Sequence, residues 1–356
     1  MRKYLLLLLL IPFGSLAQTK VVKMSATKST NYGVEYFLPK TVLIVEADYS
    51  RTTKKSGIYA KYAERFLGLD KKSIILEDGV TCTLNKIKMT SSGVPDKREG
   101  YLIEFKAKTT MPFVFLTEDG LICTINAEYS PELPKTIAKS TENKTASTVN
   151  AQSILTEEYL RAGSTMKMAE VAAKRIYELR ESRNDLLTGN ADNAPRDGEG
   201  MKIVLAQLDA QEKALTELFT GTSITETFNA EFEVEPQMEI EKEVIFRFSK
   251  HEGIVDADDL SGSPVYINVK RAEEEMIEMP VDPKKKEKEP ASIVYNVPGK
   301  AEVEVYFGIN LMYRNTFRIV QFGKKQTLAT SLFEDRKAPV RIYFYPETGA
   351  IKQIIQ

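Results

Sequence analysis

Residues 162–187, AGSTMKMAEVAAKRIYELRESRNDLL, carry apolar and small side chains at helical spacing, at Met166, Ala169, Ala173, Ile176, Leu179 and Leu187. That period specifies one long amphipathic helix in a chain whose other patterned stretches alternate like strands. Ser164 is placed to cap it, and Thr156 to cap a short helical stretch over 157–162. The Asn/Asp/Gly/Pro-rich segment 188–200 ends the helix, and a second stripe follows with Met201, Leu205, Leu208, Leu215 and Phe219. Two such helices are expected to form an antiparallel hairpin over 153–220, with Ala169, Ala172 and Ala173 allowing close approach. The expected fold class is therefore α+β and mostly β: two β-rich arms, 18–130 and 221–356, around a central helical hairpin.

In the first arm, strands are expected over 41–48, 73–76, 81–89, 101–107, 113–116 and 121–127, with Pro39 just outside the first. A helix is expected over 56–67, closed by Gly68. The stretch 131–152 is rich in Ser, Thr, Lys, Asn and Pro without apolar period and reads as a linker. The second arm is expected to hold strands over 225–234, 243–249, 265–270, 293–297, 301–307 and 340–355. A Glu/Lys/Pro run over 270–290 interrupts them as an extended charged loop.

One short pattern occurs three times: an apolar residue, any residue, Phe, four residues, Gly, any residue, Ile or Val. Phe113-Val114-Phe115 leads to Gly120 and Ile122, Phe246-Arg247-Phe248 to Gly253 and Val255, and Ile342-Tyr343-Phe344 to Gly349 and Ile351. Each reads as a hairpin whose glycine takes positive φ. Upstream, Tyr36-Phe37-Leu38-Pro39 and Tyr295-Asn296-Val297-Pro298 each precede a long strand. The order is kept in both arms, which points to duplicated units.

The first residues give an address. Arg2 and Lys3 precede an apolar run over 5–13, and Ser15-Leu16-Ala17 places small residues where a signal peptidase reads, so residues 1–17 are expected to be a signal peptide cleaved before Gln18. No later stretch approaches the ~20 apolar residues of a spanning helix. Export allows Cys82 and Cys123 to form a disulfide, and two buried thiols is the other reading. The 356 residues carry a net charge of −1, which removes the electrostatic argument for nucleic acid as a partner.

Few groups are arranged for chemistry. His251 is the sole histidine and lies at an expected turn tip, and no phosphate loop, nucleophile elbow or HExxH occurs. Asp256, Asp258 and Asp259 are weak candidates for cation ligands, in a spacing that also suits a turn. No cofactor is expected. Arg175, Arg180 and Arg183 on the long helix, set among Glu178, Glu181 and Asp185, are the candidate interaction residues, through a salt-bridge network able to dock a β arm.

The segments YFLPKT at 36–41, GIYAKY at 57–62, AGS at 162–164 with MAE at 168–170, IYELRESRNDLLTG at 176–189, and FRFS at 246–249 followed by DLSGSP at 259–264 resemble a family of exported Bacteroidota proteins defined only as a domain of unknown function, DUF4831. The resemblance implies a Gram-negative envelope protein and carries no activity or catalytic residue with it. The expected function is a non-enzymatic binding or scaffolding protein, periplasmic or associated with the outer membrane, with envelope proteins as partners. A binder of glycan or peptidoglycan is the alternative, suggested by 16 Tyr and 16 Phe, and a hydrolase with paired carboxylates the third.

Overall fold

The computed structural model describes residues 20–23, 33–104, 113–129, 150–154, 156–192, 195, 197–272, 292–329, 332 and 340–356. The expected signal peptide, most of the expected linker (130–149) and most of the expected charged loop (273–291) lie outside the described residues.

Val, Ile, Thr and aromatic residues alternate along the two strands that dominate the first half, Gly33–Lys55 (β2) and Gly79–Glu104 (β3). A short strand Lys20–Lys23 (β1) pairs with the end of β3. Between β2 and β3 the expected helix shrinks to a 3₁₀ turn, Ala60–Tyr62, and one helical turn, Ala63–Leu67 (α1), which Gly68 closes at φ 64°. No strand forms over 73–76. Then come the hairpin Val114–Leu116 (β4) and Ile122–Ile125 (β5) and the helices Glu157–Leu160 (α2), Thr165–Thr188 (α3) and Gly198–Thr220 (α4). The second half holds Thr222–Val234 (β6), Ile240–Ser249 (β7), Gly253–Val255 (β8), Ser263–Arg271 (β9), Ser292–Phe307 (β10), Asn310–Ala329 (β11), Arg341–Tyr345 (β12) and Ala350–Ile355 (β13).

The strands form three sheets, ordered β1-β3-β2-β6, β11-β10-β9-β7-β8 and β13-β12-β5-β4. The two β-rich arms share sheets. β6 pairs with β2 from Leu43↔Val234 to Lys55↔Thr222, and β12 pairs with β5. Alternation in a sequence tells which side chains are buried, but does not name the neighbouring strand.

The repeat is carried by the geometry. In β2–β3, Phe37 pairs with Gly100 and Pro39 with Pro95, so Leu38 stands opposite residues 96–99. In β10–β11, Val297 pairs with Lys324 and Gly299 with Ile319, so Pro298 stands opposite residues 320–323. Each long hairpin then has a second register shift of one residue, at Asn85 and at Met312. Each is followed by a short hairpin whose glycine is at positive φ, Gly120 at 84° and Gly349 at 66°. The Phe37 amide donates to the Gly120 carbonyl at 2.9 Å, and the Asn296 amide to the Gly349 carbonyl at 3.1 Å. One four-strand plan, β2 to β5 and β10 to β13, is thus used twice, and its two short hairpins join in the third sheet. Pro39 and Pro298, expected outside strands, sit at these bulges, where a missing ladder N–H costs little.

Three cores result. The first sheet packs on the second through residues such as Leu43, Val45, Ile87, Phe246, Val265, Val303 and Ile319. The third sheet closes the bulged end of both long hairpins around Tyr36, Leu38, Ile103, Ile122, Ile342 and Phe344. There the Tyr36 hydroxyl donates to the Val294 carbonyl and accepts from its amide, while buried Asn296 donates to the carbonyls of Pro39 and Thr348. The third core joins α3 and α4 to the β2–β3 connection through Tyr59, Ala63, Ala169, Ala173, Ile176, Leu215 and Phe219.

Candidate interaction surface

The helical hairpin is antiparallel, and its arginines hold it together. Ser164 caps α3 by accepting the Lys167 amide, and Asp197 caps α4 by accepting that of Gly200. Thr156 precedes α2 without a side-chain capping bond. Ala169, Ala172, Ala173, Ile176 and Leu179 are buried, whereas Met166 and Leu187, expected on the same stripe, are 41% and 65% exposed. Arg180 Nε donates to Glu212 Oε1 at 2.6 Å, and Arg183 bonds Asp209 Oδ1 at 2.6 Å and Glu212 Oε2 at 3.0 Å. Asp209, and then Glu212, push the Arg183 guanidinium above its ordinary value. Arg175 pairs within its own helix with Glu178 at 3.0 Å. The network therefore clasps α3 to α4, correcting the expected docking of a β arm. Carboxylates on a second helix are invisible to a helical wheel drawn for the first.

Arg180 and Arg183 line a groove of about 490 Å³ that runs along α4, past Thr216 and Thr220, to Thr222 and Ser223 at the start of β6. Among the described residues, the buried Thr216 hydroxyl and Arg175 Nε have no hydrogen-bond partner.

From the groove, β6 continues as the edge of the first sheet. Its register with β2 holds over all 13 residues without a bulge. Among the described residues, no strand pairs with its other side. Ile224, Glu226 and Phe228 point to one face, where Ile224 is 62% and Phe228 38% exposed and Phe228 stacks on Tyr49 at 5.1 Å. Glu231 and Glu233 point to the other face, and Glu231 lies directly opposite Glu46 of β2. The strand was legible in the sequence; its edge position was not.

The remaining candidates have structural places. The β7–β8 turn lies against the Tyr49 face: the Cys82 amide donates to the Lys250 carbonyl at 2.6 Å and Arg51 Nη2 to the Glu252 carbonyl at 3.2 Å. His251 sits in that turn, its amide 3.3 Å from Ser249 Oγ. Asp256 and Asp259 close the next turn, where Asp259 accepts the Ser261 amide and Arg247 donates to the carbonyls of Ala257 and Gly262. Among the described residues no three His, Cys, Asp or Glu side chains are grouped to hold a metal, and Asp256, Asp258 and Asp259 form no such group. Cys82 and Cys123 are both free and buried, on strands of different sheets, so the disulfide is not formed. Burial pushes the Cys123 thiol up to about 11. Tyr266 and Tyr306 stack on each other at 5.6 Å on the outer face of the second sheet.

A second charge cluster ties the two long hairpins together. Glu99 pairs with Lys23 at 2.9 Å and Lys325 at 2.7 Å, and accepts the Tyr101 hydroxyl at 2.7 Å. Partial burial opposes its ionisation, and the hydrogen bonds from Lys325, Lys23 and Tyr101 outweigh it, holding the carboxyl at about 2.

These features define an α+β, mostly β protein in which a repeated four-strand plan shares its sheets around a helical hairpin, with an open strand edge beside a charged groove. The chain belongs to the family described as Domain of unknown function (DUF4831), which matches residues 32–352. No curated protein and no solved structure matches it.

Proposed function

We propose that this is an exported, non-enzymatic binding or scaffolding protein of the Gram-negative cell envelope, in the periplasm or against the outer membrane. The observation that carries the reading is the 13-residue β6 edge opening from the Arg180–Arg183 groove. A long strand with one side unpaired among the described residues, next to a cleft between helix and sheet, is a geometry suited to holding another polypeptide. Export is supported by the basic, apolar and small-residue order of residues 1–17, and the envelope address by what the family resemblance implies.

The test is fractionation of source cells followed by cross-linking and affinity recovery of the tagged chain. The expected mature N-terminus is Gln18, in the periplasmic or outer-membrane fraction. Envelope proteins should be recovered in stoichiometric amounts and lost from an Ile224→Lys/Phe228→Lys variant. A cytoplasmic chain that retains residues 1–17, or one recovered alone, would overturn the reading.

A further inference from the structure

β3 is unpaired on one side over residues 79–100, since β1 covers only Tyr101–Glu104, but that stretch carries two register shifts, Pro95, Lys86 and Lys88. Six strands end the sheets among the described residues: β1, β6, β11, β8, β13 and β4. Four of them are at most six residues long. β11 is long, but it is broken by two register shifts and carries Arg314, Arg318, Lys324 and Lys325. Short length, bulges and basic side chains are the usual protection of an exposed edge. β6 has none of them: its sequence, TSITETFNAEFEV, contains no Lys, Arg or Pro, and its ladder is unbroken.

The side chains indicate what would lie there. On one face Ile224 and Phe228 leave apolar surface in water. On the other, Glu46 and Glu231 stand directly opposite one another, an unfavourable cross-strand pair, with Glu233 two residues along the edge. Lys88, opposite Glu46 on β3, is instead bonded to Asp48 at 2.9 Å. Among the described residues no cation pairs with Glu231 or Glu233.

We infer that β6 accepts an extended segment of a partner protein by strand addition, and that this segment alternates basic with apolar residues. The inference rests on the binding-protein reading above and names the kind of partner. The added strand completes the open ladder with backbone hydrogen bonds. It sets its cations against Glu46, Glu231 and Glu233, and its apolar side chains on Ile224 and Phe228.

The probe is a nine-residue, end-capped peptide alternating Lys and Val, titrated into the mature chain and followed by calorimetry and amide hydrogen exchange. Saturable binding is expected, with slowed exchange confined to residues 222–234. Affinity should fall at least tenfold when alternate peptide amides are N-methylated, when Glu replaces Lys in the peptide, and in Glu231→Lys/Glu233→Lys protein. The N-methylated peptide tests backbone pairing on unaltered protein, so the result does not depend on how that variant folds. Absence of binding, equal binding of the N-methylated peptide, or protection on β11 would overturn the inference. So would slow exchange of the β6 edge amides before peptide is added, or concentration-dependent dimers in sedimentation, since either means that the chain covers its own edge. Envelope partners recovered without peptide binding would remove this inference and leave the scaffold reading intact, whereas a chain recovered alone that still binds the peptide at residues 222–234 would overturn the envelope-scaffold reading and leave strand addition at β6 standing.

Discussion

Glu99 is the residue through which the two long hairpins are joined by charge, and its acidity makes that joint sensitive to pH. Its carboxyl is held at about 2, below its ordinary 4.5, so the folded chain favours the ionised form more than the unfolded chain does. The resulting stability is fully present above about pH 4.5 and is lost as pH falls toward 2. Both lysines are about half exposed, at 54% and 48%, which discounts the contribution to about 1–2 kcal/mol. Glu99→Gln should therefore lower the urea midpoint at pH 7 by a corresponding amount. It should also flatten the decline of stability between pH 4.5 and 2. A variant that matches the parent at both pH 7 and pH 3 would show that the cluster contributes nothing net.

At the scale of elements, the helical hairpin separates burial from surface charge. Ala173 is 3% exposed in the apolar core that α3 and α4 share, so Ala173→Glu should cost about 3 kcal/mol or more and lower the melting temperature markedly. Arg180 and Arg183 are 38% and 37% exposed, and replacing either with Gln should cost about 0.5–1 kcal/mol. An order of effects opposite to this would move the hairpin's stability from its packing to its ion pairs. The hairpin was legible because a 3.6-residue period survives wherever one face is buried, and the failures at Met166 and Leu187 mark where the third core stops covering that face. The glycine hairpins were legible for a different reason: Gly120, Gly253 and Gly349 all take positive φ, a demand that sequence displays directly. β11 escaped notice. Its bulges reset which residues face inward, and only Ile319 and Phe322 are buried along its 20 residues, so no two-residue period accumulates. The candidate site was legible only in pieces, since an open edge is defined by which neighbour is missing.

Over the whole molecule, shared sheets make the two units depend on each other. Residues 221–356 contain all five strands of the second sheet, but β6 in that segment pairs with β2, and β12 pairs with β5 as well as with β13. The first core likewise mixes Leu43, Val45 and Ile87 from the first arm with Phe246, Val265 and Val303 from the second. The second joins Tyr36 and Ile103 to Ile342 and Phe344. The helical core is fastened to the same frame by backbone bonds from Tyr59 to Leu218 and from Ile75 to Thr220, each 2.8 Å. A fragment of residues 221–356 would expose one face of the second sheet, leave β6 without a ladder and lose one side of the second core. That apolar area, at roughly 25 cal/mol per Å², is what a domain of this size relies on to offset its chain entropy. The fragment should therefore show a collapsed amide proton spectrum, and residues 33–130 expressed alone should behave likewise. The intact chain should melt in one transition with equal calorimetric and van't Hoff enthalpies. A dispersed spectrum from either fragment, or two resolved transitions in the whole chain, would restore the picture of independent arms and confine the coupling to the third sheet.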